Sequence, residues 1–198
     1  MLILLRHAPT AYHPPSLFDD TKQVNPYLTH IIMPALYNGI ESGKPFSLTI
    51  EEEPLNQAIA SYGWPQAHGS LLISTPMLFL RENELTGMTG VNLNGVDTVI
   101  TVQIHPEFDP NGLLNLKLQK VRAGAISLTM LVKPIAKRMY NDRMAAMEGH
   151  QDFYSNILGS ILAEKPFEPT FKVGKRTLKI TNITIHNKTA KLDFAIKH

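Results

Sequence analysis

Glu51, Glu52 and Glu53 are the densest acid cluster in the chain. Carboxylates this close could serve general acid–base chemistry or hold a cation. A second reading needs no chemistry. The three acids fall where a helix begins, and the positive end of the helix dipole favours an acid there by about 0.3–1 kcal/mol. No other acids stand as a pair at fixed spacing, so the second reading is preferred. His68 has no His, Asp or Glu at the spacing a zinc site uses. The chain has no cysteine, which removes disulfides, thiolate metal sites and a cysteine nucleophile. There is no phosphate loop ending in Gly-Lys-Ser/Thr and no Gly-x-Ser-x-Gly elbow. These motifs therefore predict no catalytic residue, no metal site and no cofactor.

The informative residues are apolar. Residues 46–64 (FSLTIEEEPLNQAIASYGW) read as a short strand running into a well-marked helix. Thr49 can cap its start, with Glu52 three residues on as in a capping box. Leu55, Ala58, Ile59 and Tyr62 recur at helical spacing and make one apolar face. Gly63 and Pro65 stop it. Pro54 is too deep for a Thr49 start, so the helix bends there or begins at Pro54.

Strands follow. Residues 64–69 read as a loop, and residues 77–81, 84–93 and 96–104 as strands. Glu82-Asn83, Asn94-Gly95 and residues 109–112 supply the turns, Asn94-Gly95 being the strongest hairpin signal. Leu114, Leu116 and Leu118 alternate with polar residues until Gly124. Pro134 can open a helix to about Met147, with Gly149 as its stop. Four of the eight methionines lie between Met130 and Met147, as core or as an adaptable apolar surface. Phe153, Tyr154, Ile157, Leu158, Ile161 and Leu162 form another helical stripe before Pro166. Near the end, Leu178 and Ile180 are out of phase with Ile183 and Ile185, which predicts a bulge near Thr181-Asn182. His186-Asn187-Lys188 is a turn, and Ala190, Leu192, Phe194 and Ile196 line one face of a last strand.

Upstream, residues 12–24 with Pro14-Pro15 read as extended. Asn25-Pro26 opens a helix carrying Leu28, Ile31, Ile32, Ala35 and Leu36, kinked at Pro34 and closed by Asn38-Gly39 and Ser42-Gly43. The opening MLILL is too short for a signal core or an anchor; it fits the tail of an anchor or a first strand.

These elements predict an α+β fold: a long, curved antiparallel sheet wrapped around one main helix, with additional helices at the N-terminus and before the C-terminal strands. Residues 1–24 would be an extended lead-in and residues 25–198 a single α+β domain. A length of 198 residues suits that count, and 43% hydrophobic residues suit an ordinary core. A net charge of +2 is too small to argue for nucleic acid. No stretch approaches the ~18–20 apolar residues of a membrane helix. Residues 171–198 hold seven Lys or Arg against Asp193 alone, either edge-strand protection or a face for anionic headgroups. A ligand site, if present, is expected between the helix face of Leu55, Ile59 and Tyr62 and strand faces carrying Met77, Phe79, Ile100 and Val102.

Two resemblances bear on function. MLILLRHAPTAY resembles the start of the histidine phosphatase family over about a dozen residues. That resemblance implies His7 as phosphoryl acceptor and Arg6 as phosphate clamp. It also implies a second histidine, further arginines and a parallel α/β sandwich. His13, His30, His68, His105, His150 and His186 lie in no matching context, so a chance match is preferred. The element order over residues 46–197 carries the second resemblance: LTIEEEPLNQAIASYG, a meander, VRAGAISLTMLVKPIAKRM, then KITNITIHNKTAKLDFAIK. It is similar to small bacterial envelope proteins of the YpmS/YceB kind, relatives of the tubular lipid-binding (TULIP) proteins. This implies a curved sheet on a long helix, an apolar groove and a tethered or exported setting, and it transfers no site residues. The preferred expectation is a non-enzymatic, envelope-associated domain whose partners are a lipid or other apolar small molecule and a membrane surface. A structural or interaction module with a filled core is second, and a phosphatase using Arg6-His7 third.

Overall fold

Residues 2–15, 25–146 and 152–197 are described in the computed structural model. The chain is α+β with antiparallel sheets. LILL forms a single helical turn, α1 (Leu2–Leu5), and not a first strand. The lead-in is described only to residue 15; its residues 16–24 lie outside the described residues. Asn25 opens the next helix, its Oδ1 accepting from the Tyr27 N–H at 2.9 Å. A π-helical run, Tyr27–Ile32, passes into α2 (Met33–Glu41). Pro34 has no N–H for the His30 carbonyl, and the π-to-α transition falls beside it. α2 runs through Asn38-Gly39, expected to help close it, and stops only at Ser42-Gly43.

The next element corrects the sequence reading. β1 (Phe46–Glu51) extends through Thr49, which pairs with Lys191 and caps nothing. α3 (Glu52–Ala60) begins at Glu52, with Pro54 in its first turn, where a missing N–H costs little. The capping box does not form because long-range strand pairing keeps Thr49 extended. Tyr62 lies past the helix end and is 63% exposed, so it does not share the apolar face of Leu55 and Ile59.

Where one long sheet was expected, the strands divide into two. β2 (Gln66–His68), β3 (Leu71–Ile73), β5 (Glu84–Leu93), β6 (Val96–Phe108), β7 (Leu114–Ala123) and β8 (Ile126–Ser127) follow one another in the first sheet. β4 (Met77–Arg81) pairs with the same edge of β5 that β3 uses further along. Residues 64–69 are thus not all loop, since Gln66–His68 pairs with Leu71–Ile73. Asn94 and Gly95 take φ of 51° and 83°, the double left-handed conformation of the tight β5–β6 turn. α4 (Thr129–Ala146) starts ahead of Pro134, not at it. The Thr129 Oγ1 accepts from the Val121 N–H at 2.9 Å, which fixes that earlier start. The expected stop near Met147 and Gly149 lies outside the described residues. α5 (Phe153–Ala163) is capped by Asp152, whose Oδ1 accepts from the Ser155 N–H at 2.7 Å.

The second sheet has the order β1-β11-β10-β9, with β9 (Thr170–Val173), β10 (Arg176–His186) and β11 (Thr189–Lys197). Its register shifts between Ile180 and Asn182, the bulge expected from the phase change. That bulge returns Ile183 and Ile185 to the face of Leu178 and Ile180. Leu48, Leu178, Ile180 and Phe194 there pack with Ile40 of α2 into the main core. Phe46 stacks on Phe194 at 5.1 Å between ring centroids.

The two sheets meet at β4. Among the described residues its edge away from β5 pairs with no strand, yet its backbone is bonded. Asn56 of α3 presents its amide like a strand residue. Its Nδ2 donates to the Leu78 carbonyl, and its Oδ1 accepts from the Leu78 N–H, both at 2.7 Å. Glu52 Oε2 accepts from the Leu80 N–H at 2.6 Å and from Arg81 Nη1 at 2.7 Å. The Leu80 carbonyl takes the Lys188 N–H from the β10–β11 turn at 2.9 Å. Leu80, Ile185 and Ala190 close a small core at this junction.

Asn56→Ala should lower the unfolding free energy by about 2 kcal/mol or more in urea titration, because both Leu78 groups lose their partner. Asn187→Ala in the exposed turn should stay within about 0.5 kcal/mol. Acid sensitivity should also be local. The carboxyl of Asp193 is held below its usual value, first by the Ser47 hydroxyl at 2.6 Å, then by Asn182 and Lys191. Its stabilising contribution is full above the ordinary Asp value of ~3.9 and is lost as pH falls through the lowered one. Melting curves taken down that range should show a smaller acid-side loss in Asp193→Asn than in the parent.

Candidate functional site

Cross-strand pairing decides which candidate residues share a space, because directly paired residues stand on the same face of a sheet. Met77 pairs with Met88, and Met88 with Thr101; Phe79 pairs with Thr86, and Thr86 with Gln103. Ile100 and Val102 occupy the alternate positions of β6, paired with Thr89 and Gly87. Met77 and Phe79 therefore lie on one face, and Ile100 and Val102 on the other. Leu55 and Ile59 belong to α3, which binds the edge of β4 through Asn56. The seven residues expected to line one groove are thus split between two faces and an edge, with Tyr62 outside. The acids are also accounted for: Glu52 is in the β4 clasp, and Glu51 and Glu53 are exposed.

The face of Met77 and Phe79 is crossed by residues 2–15 as a strap. The Leu4 carbonyl accepts from the Ala125 N–H at 2.8 Å, and the Leu5 carbonyl from the Thr98 hydroxyl at 2.7 Å. Further on, the Tyr12 hydroxyl donates to the Thr75 carbonyl and accepts from the Gly90 N–H. Gly124 makes the first contact possible. Its φ is +55°, and a Cβ there would meet the Leu4 and Leu5 carbonyls.

Under this strap is a pocket of about 170 Å³, lined by His7, Met88, Thr101, Gln103, Lys120 and Arg122 among others. Thr101 pairs with Arg122 and Gln103 with Lys120, so four of these form a square on one sheet face. Lys120 and Arg122 stand two residues apart on β7, roughly 7 Å along the strand. Neither forms an ion pair among the described residues. Arg122 Nη2 donates to the Ala125 carbonyl at 3.2 Å, and its Nε is buried without an acceptor. Sequence reasoning singled out His7 here but missed Lys120 and Arg122, whose spacing is that of any strand face.

Phosphohistidine chemistry at His7 would need a second histidine and two arginines. Among the described residues the pocket holds one arginine and no second histidine. The sheets are antiparallel, where that family has parallel strands. Among the described residues no three His, Asp or Glu converge to hold a metal.

The other exposed feature is α4. Met130 is 91% exposed, Leu131 64% and Ile135 58%. Leu131 and Ile135 are four residues apart and share a side of the helix. Between α4 and α5 is a cleft of about 140 Å³, lined by Lys133, Pro134, Lys137, Ile161 and Leu162. Lys133 pairs with Glu164 at 2.9 Å, which holds that carboxyl below its usual value. The C-terminal basic residues are partly neutralised: Lys179 and Lys197 share Glu168, and Lys191 meets Asp193.

Fold and site define an antiparallel α+β protein with a strapped cationic pocket and an exposed apolar helix edge. Compared with family models and with curated proteins, the chain matches none.

Gly124→Ala should unseat the strap. A non-glycine residue at this φ costs roughly 1–2 kcal/mol, so limited trypsin cleavage after Arg6 should quicken roughly tenfold as the open form gains population. An unchanged cleavage rate would show that the strap does not depend on this contact.

Proposed function

We propose that the chain is a non-enzymatic, envelope-associated domain that works against lipid, touching an anionic membrane surface through the first half of α4. The observation that carries this is the exposure of Met130, Leu131 and Ile135 on one helix beside Lys137. Each such side chain gains about 1.5–3 kcal/mol when fully buried in an apolar medium, and each nearby lysine adds ~1 kcal/mol at an anionic surface. The cleft between α4 and α5 gives the same edge an apolar recess with lysines beside it, suited to an acyl chain below a headgroup. The resemblance to YpmS/YceB-like envelope proteins and the TULIP fold agrees with a lipid role. Among the described residues no helix is long and apolar enough to cross a membrane, so contact is proposed at the surface. A lipid groove between α3 and the sheet loses support, because the register divides its residues.

Co-sedimentation with phosphatidylglycerol-containing vesicles tests this. The protein should pellet with anionic vesicles, less so at high salt, and the triple variant Met130→Asp, Leu131→Asp, Ile135→Asp should bind at least tenfold more weakly. These side chains are exposed, so the variant should keep its melting temperature. Wild-type protein that stays in the supernatant overturns the lipid reading. It would favour a module with a filled core that docks a protein on the same edge.

A further inference from the structure

We propose that the pocket under the N-terminal strap is a binding site for a small oxyanion: a phosphate group or a compact carboxylate held between Lys120, Arg122 and His7. The argument starts from charge. Two cationic side chains point from alternate positions of β7 into one concavity, and neither meets a carboxylate among the described residues. Elsewhere the molecule pairs its lysines readily, as at Glu107, Glu164 and Glu168. Leaving two like charges together and unpaired in a pocket is the arrangement that an anion relieves.

The neighbouring groups fit. Thr101 is buried, and its hydroxyl sits on the same sheet face as Arg122. Gln103 donates an amide N–H to Glu84 at 3.2 Å, which keeps that carboxylate engaged at the margin. Glu84 is further engaged by the Thr86 hydroxyl at 2.7 Å. Arg122 has most of its donors free, and its Nε lacks any acceptor. His7 arrives from the strap, so the strap can report occupancy by tightening onto the sheet.

Size sets the class. A volume of about 170 Å³ holds the equivalent of about five or six waters at ~30 Å³ each. That suits inorganic phosphate, a phosphomonoester head or a short di- or tricarboxylate, and the lysine, arginine and histidine of the lining favour such an anion over an acyl chain. Nothing covalent is involved: His7 acts as a hydrogen-bond donor or a cation.

Calorimetric titration of the full chain with inorganic phosphate, and separately with citrate, tests the proposal without vesicles and so independently of the lipid reading. Each titration is run against sodium chloride at matched ionic strength. Saturable binding of phosphate supports the site with a phosphate ligand. Binding of citrate alone supports it with a carboxylate ligand. Lys120→Gln and Arg122→Gln should each weaken the dissociation constant about tenfold, and Arg122→Lys should recover part of the loss. His7→Gln should weaken it less and should abolish any ligand protection of Arg6 from trypsin. The proposal is overturned if neither anion binds above the chloride control. It is equally overturned if folded Lys120→Gln protein binds as the parent does.

Discussion

A bare strand edge is the constraint on which the rest of this protein turns. Among the described residues β4 has a paired strand on one side only, and unpaired backbone groups on the other would be a cost and an aggregation hazard. The chain answers with side chains. The Asn56 amide mimics a neighbouring strand at Leu78, and Glu52 takes the Leu80 N–H. The β10–β11 turn then supplies the Lys188 N–H to the Leu80 carbonyl. One short strand thereby fixes a helix and the tip of the second sheet onto the first sheet. The same device recurs on β7. There the Ser160 hydroxyl accepts from the Leu116 N–H at 2.7 Å, Thr129 serves Val121, and Phe167 bridges to Leu114. α4 and α5 are therefore held by hydrogen bonds to a sheet edge as well as by apolar packing.

This attachment explains where the free surfaces lie. The turn of α4 at Thr129 is fixed by Val121, so Met130 and Leu131 immediately beyond it are directed outward. The strap is held to the opposite end of the same β7–β8 region through Gly124 and Ala125. The pocket and the apolar edge are thus products of the same sheet margin. They offer different chemistry, one cationic and concave, the other apolar.

Much of the local structure was legible in the chain. The Asn94-Gly95 turn, the bulge after Ile180, the Phe153–Ala163 helix and the α+β class follow from short-range rules that tertiary packing did not override. The candidate site was not legible in the same way. Grouping Met77 and Phe79 with Ile100 and Val102 required the register between three strands. A shift of one residue moves every side chain to the other face. Periodicity gives each strand an apolar side but cannot say which sides coincide.

What the sequence by itself determined is therefore the α+β class, most of the longer elements with their turns, and the lack of cysteine chemistry. Hydrophobic period and turn residues act within a few positions of one another. Tertiary structure decided the rest. Pairing of Phe46–Glu51 with the last strand kept Thr49 extended and moved the start of α3 to Glu52. Glu52, an ordinary helix-start acid in the sequence, became an edge acceptor for Leu80. Lys120 and Arg122, ordinary strand residues, became neighbours of His7 because Gly124 admits the strap. Each of these outcomes joins residues far apart in the chain, and only the closed fold sets the distances over which their charges and hydrogen bonds act.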